Sequence, residues 1–149
     1  MVAFLLLVLL ALAAGACLPT QAGINALLNT WTRSPVLTAA VSFGVGTGTL
    51  VLYALVLRVP VPPKEGLSAL PWWAWCGGCL GAFFVASAVV LAPRLGAAAM
   101  VALIVAGQMG ASLVLDHFGW LGYPVHPVSL LRLAGVGLVV AGVVLIRTF

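Results

Sequence analysis

Three sets of polar residues interrupt otherwise apolar sequence, and any chemistry this chain performs must come from them. Gln21, Asn25 and Asn29 recur at i, i+4 and i+8, which places them on one face of a helix. Gln108, Ser112 and Asp116 repeat that spacing, with His117 beside the last. Amides and a hydroxyl at mid-span can hydrogen-bond a solute or glue helices together, and spacing alone leaves both readings open. Pro19 precedes the first set. It would free the carbonyl of Gly15 and kink the helix, an arrangement that transporters use to build solute sites. Asn29 also fits the simple end of a helix.

Asp116 stands near the end of its run, and Arg132 lies across a short connector at the start of the next. The two make either a structural clamp or a gate, with Asp116 or His117 exchanging protons as the pair opens. His126, between Pro124 and Pro127, reads as a loop histidine. The third set, Trp75-Cys76-Gly77-Gly78-Cys79, has the spacing of a thiol redox pair. The strand-helix-strand context of such enzymes is absent, and Cys17 alone cannot form a second relay pair. Helix-packing thiols are the default reading, and nothing points to an enzyme, a metal or another cofactor. Six scattered basic residues form no nucleic-acid patch.

The elements that carry these residues follow from composition. Only 5% of the 149 residues are charged and 64% are hydrophobic, with a mean hydropathy of +1.30. Soluble domains carry about 25% charge, so this chain has nothing from which to build a wet surface. Its solvent is lipid. A helix needs about 20 apolar residues to cross the bilayer, and five runs qualify: 2–28, 35–59, 72–91, 95–118 and 128–146. The alternating segments of a transmembrane barrel are missing. The sequence thus predicts an all-α integral membrane protein, a single domain of five transmembrane helices. Trp31, Trp72, Trp73, Trp75, Trp120 and Tyr123 fall at span ends, where amphipathic rings anchor.

Connectors are short, so sequential helices pack antiparallel; Pro60 to Pro71 reads as a compact turn. Met1 to Cys17 looks like a signal sequence without its basic leader, which favours retention as the first helix. Gly44, Gly46 and Gly48, the Gly77–Gly81 pair, Ala106, Gly107 and Gly110, and Gly135 with Gly142 mark close helix contacts. Lys and Arg divide evenly: Arg58, Lys64 and Arg132 on one side, Arg33, Arg94 and Arg147 on the other. That balance leaves orientation unspecified by the positive-inside rule. Either a boundary misplaces one residue, with Arg132 the first suspect, or the chain inserts both ways or beside an oppositely oriented partner.

Several motifs in order add a resemblance. Ala92-Pro93-Arg94-Leu95-Gly96, Gly107-Gln108, Ser112, Asp116-His117-Phe118-Gly119 and Arg132-Leu133-Ala134-Gly135 resemble the YdcZ-like family of the drug/metabolite transporter superfamily. Gln21, Asn25-Ala26 and Gly77-Gly78 with Gly81 fit as well, so the similarity covers essentially the whole chain. The resemblance implies a bacterial inner-membrane exporter subunit acting on a small molecule, with double-length relatives made of two such halves. A five-helix unit joined to its own copy is inverted automatically. A separate chain reaches that architecture as an antiparallel homodimer or with a homologous five-helix partner, each copy being half of an inverted-repeat transporter. On that reading Gln21, Asn25, Gln108 and Ser112 line the pathway, and Asp116, Arg132 and His117 form a gate or coupling group. Small multidrug exporters of the superfamily couple protons through a first-helix Glu, which this chain lacks. The shortage of buried carboxylate favours neutral or zwitterionic cargo. A non-transporting assembly subunit and a thiol protein using Cys76 and Cys79 are the alternatives.

Overall fold

The computed structural model describes residues 2–61, 63 and 70–148, with only the backbone of Arg147. The compact turn expected between Pro60 and Pro71 falls largely outside them. Among the described residues the chain is all helical: α1 is Val2–Thr32, α2 Pro35–Val56, α3 Gly77–Leu95, α4 Ala97–Phe118 and α5 Leu130–Thr148. Four segments are long and apolar enough to cross a membrane: Val2–Thr32, Pro35–Val56, Trp72–Leu95 and Ala97–Phe118. The apolar stretch of α5, Leu130–Ile146, is shorter.

Local chemistry sets the boundaries. At 31 residues, α1 runs past Leu28 to Thr32, with Asn29 in its last turn. Ser34 caps α2, accepting from the Leu37 amide at 3.3 Å, and Pro35 supplies the preset first turn. The tryptophan-rich segment Trp72–Cys76 winds as a 3-10 helix before α3 begins. Gly96 and Gly119 bracket α4 at positive φ, +77° and +63°, and Gly119 ends it in the left-handed conformation. Ser129 caps α5, accepting from the Arg132 amide at 3.3 Å, so the helix starts two residues later than hydropathy indicates.

The chain divides into two compact units, Met1–Pro19 with Arg94–Phe149, and Thr20–Pro93. Both boundaries fall at a proline inside a helix, Pro19 in α1 and Pro93 in α3. A helical proline cannot donate to the carbonyl four residues back, so each boundary sits where the backbone ladder is weakest. In the first unit α4 packs against α5. In the second, Thr38 is fully buried at the α1–α2 elbow. Its hydroxyl donates to Asn29 Oδ1 at 3.2 Å and lies 2.6 Å from that of Thr32.

The glycine pattern behaves differently from the sequence expectation. Gly81 does make a close α2–α3 approach, since a Cβ there would meet Phe43 Cζ at 3.2 Å. A Cβ on Gly44, Gly46, Gly48, Gly77, Gly107, Gly110, Gly135 or Gly142 would meet nothing within 4 Å. Among the described residues, no neighbouring helix comes into van der Waals reach of a Cβ at those positions. Small residues permit close approach but do not say which helix approaches.

Candidate functional site

The predicted site residues fall into two local groups. Asp116, His117 and Arg132 belong to the unit containing α4 and α5, as do Gln108 and Ser112; Gln21 and Asn25 belong to the other.

At the α4–α5 end, the left-handed turn at Gly119 sends the chain back over the last turn of α4. The His126 amide donates to the Asp116 carbonyl at 2.8 Å, and the Val128 amide donates to His117 Nδ1 at 3.2 Å. Arg132, in the first turn of α5, forms a salt bridge with the Asp116 carboxylate. Its other terminal nitrogen donates to the His126 carbonyl at 2.7 Å. The ion pair therefore belongs to a network that fixes the connector. His126 contributes only backbone groups to that network. His117 Nδ1 is an acceptor, which places any ring proton on Nε2.

Along α4, Ser112 is half-buried and Gln108 is exposed, one turn apart on the same face. On α1, Asn25 is buried, with 4% of its surface accessible. Gln21, one turn earlier, opens into a pocket of about 220 Å³ lined also by Ser42, Phe43, Gly46, Thr47 and Leu50 of α2. Ser42 and Thr47 were not among the sequence-derived candidates. Their one signal was two hydroxyls within the glycine-rich part of α2, a pattern that equally suits hydroxyls bonded to their own helix. The other unit holds a larger groove of about 490 Å³, but aliphatic side chains such as Val101, Val105 and Val139 line it. It offers hydrocarbon contact without a hydrogen bond.

Cys17, Cys76 and Cys79 are free thiols, Cys79 exposed in the first turn of α3 and Cys76 just before it. Among the described residues no cluster of His, Cys, Asp or Glu could hold a metal ion. The chemistry on offer is hydrogen bonding and one ion pair.

Comparison with known proteins identifies the family. Residues 6–145 match the model of the family described as "Putative inner membrane exporter, YdcZ". The inner membrane protein YdcZ of Escherichia coli (strain K12) is 37% identical over 62 residues. That match spans 42% of this chain and 42% of the relative, less than half the length of either. No solved structure matches. Since the family model runs through all five helices, the chain belongs to the YdcZ family and is a multi-pass protein of the bacterial inner membrane.

Proposed function

We propose that the chain is a subunit of a small-molecule exporter, active as an antiparallel homodimer or with a homologous five-helix partner. Family membership supports a transporter-type role rather than catalysis. The observation that carries the fuller reading is the exposure of two amides, Gln21 and Gln108, within spans whose surroundings are hydrocarbon. A lipid-facing amide lacks the hydrogen bonds that water would give it, so such groups turn toward protein or a water-filled path. Pairing with a second five-helix unit supplies both. Gln21, Asn25, Gln108 and Ser112 then line the path, while Asp116 and Arg132, with His117, form the gate.

The test compares solutes released by cells expressing the wild type and Gln108→Ala, read by untargeted mass spectrometry of the medium at matched membrane abundance. A solute enriched by the wild type and reduced per molecule of Gln108→Ala is the expected result. Lower abundance with unchanged export per molecule would mean that Gln108 only holds helices together. No solute enriched by the wild type would sink the export reading.

A further inference from the structure

The pocket between α1 and α2 has a property that its dimensions do not reveal: its polar groups are unspent. Hydroxyls in apolar helices ordinarily bond back to a carbonyl one turn earlier. Thr49 does so, donating to Val45 O at 2.9 Å, and Thr148 donates to Val144 O at 2.7 Å. Ser42 and Thr47 do not; neither they nor Gln21 make a side-chain hydrogen bond among the described residues. Asn25, one turn along α1 from Gln21, likewise lacks a side-chain partner there, though 4% accessible. No sealed, unpaired side-chain atom occurs among those residues, so the Asn25 amide is the part of that residue still within reach.

We infer that this pocket binds an uncharged solute, about the size of a monosubstituted benzene, that both donates and accepts hydrogen bonds. The inference deepens the exporter reading and takes its biological meaning from it. Two hydroxyls and a primary amide together offer donors and acceptors of both kinds, matching a carboxamide, urea or alcohol. No ionisable side chain lines the pocket. An ion entering it would lose part of its hydration with no counter-charge, a cost that neutral solutes avoid. Size agrees: a cavity of about 150 Å³ accommodates benzene, and this one holds about 220 Å³. Phe43 supplies an aromatic wall. Gly46 leaves the α2 backbone bare beside it, and a Cβ there would meet no neighbouring atom within 4 Å.

The test places a reporter thiol at the rim, Leu50→Cys, in a Cys17→Ala/Cys76→Ala/Cys79→Ala background. Its alkylation by N-ethylmaleimide in membrane vesicles is timed with benzamide, benzyltrimethylammonium or benzoate present. Benzamide should slow labelling about fivefold at four-fifths occupancy, with the two ions needing about tenfold higher concentration for the same effect. Gly46→Leu, which fills the pocket, should abolish protection. If that variant fails to accumulate, Ser42→Ala/Thr47→Val gives the same reading by removing the hydroxyls. Equal protection by either ion, no protection by benzamide, or protection that survives both variants overturns the inference. Labelling reads occupancy without transport. A chain that binds benzamide but exports nothing refutes export and leaves the site standing; the reverse result leaves export standing and removes the site.

Discussion

Arg132 holds the Asp116 carboxylate with one end of its guanidinium and the His126 carbonyl with the other. It is therefore both an ion-pair partner and a support of the connector, which Asp116 also holds through its main-chain carbonyl. The side chains are 34% and 22% exposed, for Arg132 and Asp116 respectively, so the pair is neither surface nor core. Its loss should cost more than the ~1 kcal/mol of an exposed pair and less than the 3–5 kcal/mol of a buried one. We predict that Arg132→Ala destabilises by about 2 kcal/mol and Asp116→Asn by about 1, because asparagine keeps an acceptor for Arg132. Thermal unfolding in detergent measures both. Equal losses would show that neither the retained acceptor nor the His126 carbonyl contributes.

The turn that delivers His126 to Arg132 depends on Gly119. Its φ of +63° is left-handed, and a Cβ there would approach Val125 Cγ2 to 2.7 Å. Gly119→Ala therefore meets both a backbone penalty of about 1–2 kcal/mol and a clash. Adding Val125→Ala should relieve the clash and leave the backbone term. If the double variant is no more stable than Gly119→Ala alone, Val125 is not where the strain lies.

At the α1–α2 elbow, Thr38 is sealed from solvent and its hydroxyl serves Asn29 and Thr32 together. Thr38→Val keeps the volume and removes the hydroxyl, leaving Asn29 Oδ1 without its donor. A loss of about 1 kcal/mol follows from removing the donor of a half-buried acceptor. Thr49→Val removes a hydroxyl that bonds only to its own helix and should cost well under half as much. Comparable losses would mean that the elbow network does not stabilise the fold.

Hydropathy alone made the helices legible, because a chain with 5% charge admits few alternatives to lipid burial. Asp116 and Arg132 were legible as partners because a short connector must bring the end of one helix beside the start of the next. The cluster of Asn29, Thr32 and Thr38 was not. Polar residues between two apolar runs look like an exit to water, whereas here they bond to one another across the elbow and let α1 continue to Thr32. Ser42 and Thr47 were missed for the opposite reason: sequence gives a hydroxyl's position but not whether its own helix consumes it. Of the described glycines, only Gly81 marks a close approach between helices, to Phe43, because spacing alone does not identify a partner helix.

The even division of Lys and Arg gives a final prediction, on orientation. Positive-inside bias is the main force that orients short-loop helical proteins, and three basic residues on each side cancel it. A C-terminal tag should consequently be labelled from both faces of the membrane. Arg33→Asn/Arg94→Ala removes two charges from one side, and Arg58→Asn/Lys64→Ala removes two from the other. Arg33 and Arg58 sit at φ +52° and +51°, where asparagine is tolerated, so the changes bear on charge rather than backbone. Each variant should adopt a single orientation, opposite to the other's. If the working unit is an antiparallel homodimer, neither exports alone and their co-expression restores release of the solute. Export by either variant alone would exclude that homodimer, and wild-type labelling from one face only would leave a heteromeric partner as the source of the inverted half.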